Sequence, residues 1–272
     1  MAVGTGRVAL VTGASAGIGE AAASALVGSG FTVYGTSRRA APGEKRGEVV
    51  FLPLDVTDDD SVASAVREVL DRSGRIDVLV NNAGVGVSGA AEESSIEQAR
   101  ALFETNLFGS IRTTRAVLPH MREQGSGRII NVSSVLGFMP APFMALYAAT
   151  KHAIEGYSES LDHELREFGV RVALVEPAYT NTAFEANSVR ADQPLPAYAE
   201  RRRVFEAFMA DAVKQGDDPA VVAKAIVAAA TDKNPKVRYA GSSRTASVST
   251  MRRLVPVRMF DQQLRKLNKL PA

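Results

Sequence analysis

The stretch from Val8 to Gly19 reads VALVTGASAGIG and carries the strongest indication of the fold class. Its first four residues are continuously apolar, which is typical of a strand buried on both faces of a parallel sheet. Gly13, Gly17 and Gly19 follow, and an alanine-rich helical pattern begins with them. Glycines between a strand and a helix permit a tight turn close to a pyrophosphate, which the free N–H groups and dipole of the helix N-terminus attract. The stretch therefore predicts a nucleotide-binding strand–turn–helix unit.

Short apolar runs alternate with helical patterns along most of the chain. Further strands are predicted at 31–36, 49–54, 76–80, 128–132, 170–175 and 237–240, and long helices at 95–122 and 147–168. This alternation predicts a parallel sheet with helices on both faces, a doubly wound Rossmann-type α/β fold. We predict one such domain over 1–272, containing a substrate loop and helix at 178–215 and a basic tail at 241–272.

Charge and composition exclude several classes of protein. Lysine and arginine total 32 against 30 acidic residues, so the net charge is +2 and we expect no nucleic-acid partner. Because the chain has no cysteine and its three histidines lack ligand spacing, we expect no metal site. The sequence shows no signal-peptide pattern and no apolar run near the ~20 residues of a membrane span. We therefore expect a cytoplasmic protein without a membrane span.

Tyr147 and Lys151, in the stretch YAATK, form the second informative feature. Four residues apart, they lie on one face of the predicted helix. The lysine's charge favours the phenolate, so a tyrosine whose ordinary pKa is ~10 becomes a usable acid or base near neutrality. Ser134 lies thirteen residues before the tyrosine. Ser133 is the alternative, but alternation along a strand lets only one of the two serines face the site. With the glycine turn, these residues predict hydride and proton transfer on a nicotinamide cofactor.

The end of the second strand indicates which cofactor binds. NAD-binding folds usually place an acid there for the ribose diol, whereas this chain has Ser37-Arg38-Arg39. A guanidinium suits the 2′-phosphate of NADP, so we predict NADP(H), with a solvated basic loop as the alternative. Asp55 ends the third strand, where it would meet the adenine ring. The alternative is a helix cap, for which Thr57 and Asp58 are better placed.

In this combination the chain resembles the short-chain dehydrogenase/reductase superfamily, in the branch of roughly 250 residues. Thr12–Gly19 matches the family's TGxxxGxG, Asn81–Gly84 its NNAG and Tyr147–Lys151 its YxxxK. The resemblance implies that Tyr147 is the general acid/base and that Lys151 holds the ribose and lowers the tyrosine's pKa. It also implies that Ser134 hydrogen-bonds the substrate oxygen and that Asn106 supports a proton-relay water.

The resemblance also indicates where the chain departs from the family. Pro177-Ala178 stands where the family often has Pro-Gly, and the threonine that contacts the nicotinamide amide is Thr182 or Thr180. A narrower likeness, to hydroxysteroid dehydrogenases and related lipid-carbonyl reductases, comes from 236–239 and 254–256. The cofactor-binding residues predicted or implied are Gly13, Ser15, Gly17, Ile18, Gly19, Ser37, Arg38, Arg39, Asp55, Val56, Asn82, Ala83, Gly84, Tyr147, Lys151, Pro177, Thr180 and Thr182.

Three function classes compete. The first is an NADP(H)-dependent carbonyl reductase or alcohol dehydrogenase, within which a 3-oxoacyl-(acyl-carrier-protein) ketoreductase is the main alternative, disfavoured by the long tail. The second is a non-catalytic NADP-sensing binding protein, which need not keep Asn106, Ser134, Tyr147 and Lys151 together. The third is a sugar-nucleotide epimerase or dehydratase, disfavoured by the glycine spacing.

The substrate side is predicted to be apolar. Its walls are 136–144, 179–184 and the helical pattern with Phe205, Phe208 and Met209, unless these residues merely complete the core. Apolar and aromatic walls predict a small-molecule ketone or aldehyde that is bulky and mainly apolar, such as a steroid, lipid-derived or aromatic carbonyl. Arg190 and 201–203, predicted on a loop, would instead favour an anionic acyl carrier. The family also implies a homodimer or homotetramer, formed through the helices at 95–122 and 148–168.

Overall fold

The predicted strands pair into one large sheet in the computed structural model, which describes residues 6–41, 43–185, 187–268 and 270. The strands are β1 (Val8–Val11), β2 (Thr32–Ser37), β3 (Lys45–Arg46), β4 (Val49–Pro53), β5 (Val78–Asn81), β6 (Val87–Ser88), β7 (Gly127–Val132), β8 (Val170–Glu176), β9 (Val189–Arg190) and β10 (Arg238–Ala240). The large sheet has the order β10-β8-β7-β5-β1-β2-β4-β3, and only β3 is antiparallel within it. The doubly wound parallel fold predicted from the sequence is confirmed. The outermost parts of the predicted domain and tail, 1–5, 269 and 271–272, lie outside the described residues.

Helices cover both faces of the sheet. They are α1 (Gly17–Gly28), α2 (Asp59–Ser73), α3 (Ile96–Phe103), α4 (Gly109–Glu123), α5 (Ala145–Leu165), α6 (Ala199–Lys214), α7 (Pro219–Thr231), α8 (Ser243–Leu254) and α9 (Val257–Leu267). Alternation along β1 sends Ala9 and Val11 towards α1 and α7, and Val8 and Leu10 towards α2, α4 and α5. All four side chains are buried, which explains why this strand reads as a continuous apolar run.

Two predicted segments differ in the structure. The helix predicted at 95–122 is interrupted between α3 and α4 by a π-helical turn, Glu104–Phe108. The loop predicted through 203 ends earlier, because the turn Pro196–Tyr198 leads into α6 and makes Arg201 to Arg203 helical. Proline is tolerated in the first turn of a helix, so Pro196 starts this helical segment instead of breaking it.

A third apolar cluster lies beside the sheet, over the start of α5. It joins α6, α8 and α9 to the segment before α5 through Met139, Phe205, Met209 and Phe260, among others. The C-terminal helices therefore pack against the segment that precedes Tyr147. Among the described residues, no helix is long and apolar enough to cross a membrane, and no group of three or more His, Asp or Glu side chains is arranged to hold a metal ion.

Candidate active site

The site lies where the sheet order reverses. β1 pairs with β2 on one side and with β5 on the other, so the segments that follow β1 and β5 diverge and leave a crevice at the carboxyl ends of the strands. A cavity of about 680 Å³ occupies this crevice. Its wall contains every site residue predicted from the sequence except Gly19 and Asn106, both of which lie behind the wall.

The glycine turn leaves room and N–H groups for an anion. Gly13 and Gly17 have φ angles of 65° and 60°, in the left-handed region that favours glycine. A Cβ atom at Gly19 would lie 2.3 Å from the carbonyl oxygen of Gly13, so the turn closes only without a side chain there. α1 begins directly after Ala16, whose methyl side chain cannot accept a hydrogen bond from the first N–H groups of the helix. These donors are left for a phosphate.

Thr12 and Asn82 fasten the glycine turn to the end of β5. The Asn82 side-chain amide donates to the carbonyl oxygens of Thr12, at 3.0 Å, and Gly13, at 3.1 Å. The Thr12 hydroxyl accepts from the backbone N–H groups of Asn82 and Ala83, each at 3.0 Å. Asn82 is thus occupied in holding the turn. Thr12 is not among the predicted site residues, although it stands at the head of the glycine motif.

The opposite end of the cavity is polar and cationic. Ser37, Arg38 and Arg39 line it together with Asp55 and Val56. Arg38 and Arg39 are exposed and form no ion pair with a described residue, so both guanidinium groups are available to a ligand. The backbone N–H of Thr57, burial and the charge of Arg38 act on Asp55, and the net effect is a lowered pKa. Asp58, not Asp55, caps α2 by accepting from the N–H of Ser61 at 2.9 Å.

Tyr147 and Ser134 meet at the centre of the cavity. Ser134 accepts from the N–H of Leu136 at 3.1 Å, and its hydroxyl lies beside the Tyr147 hydroxyl in the cavity wall. Ser133 instead turns towards Glu155 in the interior. Burial raises the pKa of Tyr147, the neighbouring Ser134 hydroxyl lowers it and the charge of Glu185 raises it. The sequence predicts that Lys151 lowers the pKa of Tyr147. In the structure the pKa of Tyr147 is raised instead, because burial outweighs the other influences.

Lys151 lies one helical turn after Tyr147 and is equally buried. Its ammonium nitrogen donates to the carbonyl oxygen of Val132 at 2.9 Å and lies 5.6 Å from the centre of the tyrosine ring. Burial lowers the pKa of Lys151 to about 8, against an opposing effect of Glu155. A solvated surface pair is therefore excluded. The lysine is held where its remaining donors face the cavity and its charge lies close to the phenol.

Asn106 stands in the π-helical turn, behind the cavity wall. Its side chain exchanges two hydrogen bonds of 2.9 Å with the backbone of Val85 and donates to Thr150 at 3.2 Å. Thr150 in turn donates to the Tyr147 carbonyl oxygen at 2.8 Å. Single π turns inside α-helices occur frequently at functional sites. Asn106 thus ties the segment after β5 to the helix that carries the tyrosine.

The segment after β8 closes the middle of the cavity. Pro177, Thr180 and Thr182 all line it. Thr182 lies beside the glycine turn, since a Cβ atom at Gly17 would be 3.2 Å from its methyl carbon, whereas the Thr180 hydroxyl bonds back to Ala178 at 3.1 Å. Thr182 is therefore the threonine nearer to the glycine turn.

A buried ion network supports the site from behind. Arg238 on β10 binds Glu155 and also Glu176, at 2.5 Å. Burial raises the pKa of Glu155 to about 7, with the neighbouring Ser133 hydroxyl and Arg238 acting against it. The residues of this network were not predicted from the sequence. The one available signal was the position of Glu155, which follows Lys151 by four residues and so lies one helical turn along the same face.

Apolar side chains wall the cavity beyond Tyr147. Leu136, Met144, Tyr179, Phe184 and Met209 line it, as predicted from their segments. Phe205 and Phe208 belong instead to the third apolar cluster, because α6 turns them towards Phe143 and Tyr179, respectively.

The predicted loop arginines are engaged elsewhere. Arg202 pairs with the buried Glu93, Arg203 with Glu200 at 2.7 Å and Arg190 with Glu206 at 3.5 Å.

Known proteins share this architecture. The family profile described as short chain dehydrogenase matches residues 7–193. A 3-ketodihydrosphingosine reductase of Bacteroides thetaiotaomicron is 45% identical over 181 residues, which is 66% of each chain. Estradiol 17-beta-dehydrogenase 1 of Rattus norvegicus is 35% identical over 268 residues, covering 90% of this chain and 76% of the relative. The crystal structure of a short-chain dehydrogenase from Streptomyces avermitilis superposes with a TM-score of 0.79 at 37% identity, covering 97% of this chain and 98% of that one.

Proposed function

The chain belongs to the short-chain dehydrogenase/reductase family of oxidoreductases, and from that premise we propose that it is an NADP(H)-dependent reductase of mainly apolar ketones or aldehydes. The observation that carries the proposal is the arrangement of Ser134, Tyr147 and Lys151 on one wall of a cavity that begins at the glycine turn and ends at Arg38. A site that only bound nucleotide would need no buried phenol beside a buried ammonium, which is the arrangement of a proton donor.

The residues of the cavity fit a nicotinamide dinucleotide. The uncapped start of α1 suits a pyrophosphate, Arg38 a 2′-phosphate, Asp55 the adenine and Lys151 a ribose diol. When bound there, the cofactor supplies the hydride for carbonyl reduction or accepts it in alcohol oxidation. Backbone atoms of Ala83 and Gly84 and the Thr182 side chain lie along the cavity between these ends and would position it.

Tyr147 is assigned the proton transfer. Burial keeps the phenol protonated near neutrality, which is the form that donates a proton to the oxygen of a ketone undergoing reduction. Ser134 lies beside the same hydroxyl on the cavity wall and would orient the substrate oxygen. As the proton leaves, negative charge develops on the tyrosine oxygen. The Lys151 ammonium, held by the Val132 carbonyl, is placed to stabilise that charge.

Arg38 is assigned the cofactor preference. A hydrogen bond to a charged group is worth about 1.5–3 kcal/mol, so we expect NADPH to be preferred over NADH by about 10–100-fold in kcat/KM. Arg38→Asp should erase or reverse that preference, because the new carboxylate repels a phosphate and accepts from a ribose diol. Arg39→Asp should act in the same direction but less. Arg67→Asp, an exposed charge reversal on α2 outside the cavity wall, is the matched control. Equal kcat/KM values for the two cofactors in the wild type would contradict the assignment.

The substrate class follows from the apolar walls. The acyl-carrier alternative needs free cations near the cavity mouth, and Arg190, Arg202 and Arg203 are paired with acids. The deciding experiment measures kcat/KM with NADPH and with NADH across acetoacetyl thioesters, aryl ketones and steroid ketones. A preference for the aryl and steroid ketones supports the proposal, and a preference for the thioesters supports the ketoreductase. Cofactor binding without turnover of any carbonyl would favour a nucleotide sensor.

We also propose that the chain forms a homodimer or homotetramer through α3, α4 and α5. Ile96 at the start of α3 and Phe108 in the π-helical turn between α3 and α4 are 64% and 48% exposed, and a partner chain would cover both apolar side chains. Light scattering at micromolar concentration should give a multiple of the 28.9 kDa chain mass, and Phe108→Asp should shift it towards the monomer. Leu254→Asp, a change at an apolar residue exposed elsewhere, is the control. A monomer mass for the wild type would refute this assembly. The cytoplasmic location and the lack of a nucleic-acid partner stay predictions.

A further inference from the structure

Glu185 is the one acid on the substrate side of the cavity. Among the described residues of the cavity wall, the charged side chains are Arg38, Arg39, Asp55, Lys151 and Glu185. The first three lie at the adenine end, and Lys151 lies beneath Tyr147. Glu185 follows Phe184 on the segment after β8, among the apolar walls. A carboxylate in such surroundings loses hydration without gaining a neighbour of opposite charge.

No hydrogen bond or ion pair joins the Glu185 carboxylate to another described residue, and in this it differs from the other sheltered acids of the chain. Every other described carboxylate that is buried or half-buried has a partner. The four most buried are bound by arginine, in the pairs Glu93–Arg202, Asp162–Arg171, Glu155–Arg238 and Glu176–Arg238. Glu185 is half-buried, so its carboxylate is open to the cavity and is available to a ligand that enters there.

Glu185 and Tyr147 line the same cavity. The ring of Phe184, the neighbour of Glu185, is 5.8 Å from the ring of Tyr147, centre to centre. The negative charge of Glu185 contributes to the raised pKa values of both Tyr147 and Tyr179, whose larger cause is burial. The carboxylate is therefore close enough to act electrostatically on whatever binds against the Tyr147 hydroxyl.

We propose that Glu185 selects ketones that carry a cationic amine close to the carbonyl group, its carboxylate binding the ammonium while the apolar walls hold the hydrocarbon part. The inference rests on the proposed function, because it assumes that the carbonyl oxygen is seated at Ser134 and Tyr147. The reaction itself is unchanged: the carbonyl carbon gains a hydride, its oxygen gains the Tyr147 proton, and the ammonium keeps its charge.

Charge balance gives the reason for this selectivity. Reduction places negative charge on the carbonyl oxygen before the proton arrives, and Glu185 repels that charge. An ammonium on the substrate neutralises the carboxylate and attracts the oxygen as well, so it helps more in the transition state than in the ground state. A neutral ketone leaves Glu185 unpaired, and an anionic ketone adds a second repulsion. The expected order of kcat/KM is therefore cationic, neutral, anionic.

Three ketones of matched size test the order. Phenacyl trimethylammonium carries a fixed charge, its tert-butyl isostere is neutral and benzoylacetate is anionic. In the wild type, the cation should exceed its neutral isostere by about 10–100-fold in kcat/KM, the order expected for attraction between opposite charges about 4–6 Å apart in a partly buried site. Glu185→Gln should collapse this ratio and raise the value for benzoylacetate. Asp211→Asn, which removes one negative charge from α6 outside the cavity wall, should leave the ratio unchanged. NADPH affinity serves as the check that each variant is folded.

Calorimetric binding of the same three ketones to the NADP⁺-loaded protein separates the two proposals. Turnover of ketones with no advantage for the cation, or with an advantage that survives Glu185→Gln, overturns the role of Glu185 and leaves the reductase intact. If no ketone is reduced, tighter binding of the cation to the wild type than to Glu185→Gln supports the cation site and refutes the reductase. Equal binding to both proteins refutes both proposals.

Discussion

Tyr147→Phe is expected to lower kcat for ketone reduction by about 10²–10⁴-fold, the contribution of a positioned general acid. The change removes one oxygen atom, which lies beside the Ser134 hydroxyl in the cavity wall. The ring remains packed against Phe184, so the helix and the cavity keep their shape. The affinity for NADPH should stay nearly that of the wild type, because the phenol contributes little to holding the nucleotide. Single-turnover reduction and fluorescence titration with NADPH measure the two quantities separately.

A second tyrosine on the same helix supplies the control. Tyr157 is half-buried on α5, outside the cavity wall, and Tyr157→Phe makes the same chemical change there. Its kcat should remain close to the wild-type value. If Tyr147→Phe retained turnover within about threefold of wild type, far less than general acids contribute, the proton would have to come from another group.

The sheet could be predicted because each of its long strands carries its own signal. Continuous apolar runs such as Val8–Val11 are buried on both faces, and local composition reports that directly. The two-residue strands β3, β6 and β9 carry no such signal. Lys45–Arg46 is exposed and becomes a strand only because β4 lies beside it, and Val189–Arg190 pairs with a segment far away in the chain.

The site residues that belong to short sequence motifs could be predicted. The contacts and pKa values that depend on burial in the folded chain could not. Tyr147, Lys151 and the glycine turn were visible as spacings along the chain. The π-helical turn at Asn106 depends on hydrogen bonds to Val85 and Thr150, which lie 21 and 44 residues away. The direction of the Tyr147 pKa shift was predicted from the nearby lysine, but it is set mainly by burial, which a sequence does not report. Glu185 escaped notice for the same reason, since its unpaired carboxylate is evident only once the cavity is formed.

Lys151→Ala is expected to lower kcat/KM for ketone reduction by about 10²–10³-fold, the effect of removing one preorganised donor from developing charge. The loss should appear in both steps. The affinity for NADPH should fall, since the ammonium is placed to bind the ribose. The proton transfer should slow, since the other cations of the described cavity wall, Arg38 and Arg39, lie at its far end and do not replace the ammonium beside the phenolate. Lys224→Ala, an exposed lysine on α7, is the control for loss of a positive charge.

The pH dependence separates a catalytic Lys151 from one that only packs. Burial lowers the lysine's pKa to about 8, so the ammonium is present below that pH and is lost above it. In the wild type, kcat/KM for NADPH should therefore fall as the pH rises through about 8. That descending limb should be absent from Lys151→Ala. In alcohol oxidation, which needs the phenolate, the activity that remains in the variant should shift to higher pH, because the positive charge that favours ionisation of Tyr147 is gone. An unchanged profile in both directions, together with a wild-type Kd for NADPH, would remove Lys151 from the mechanism.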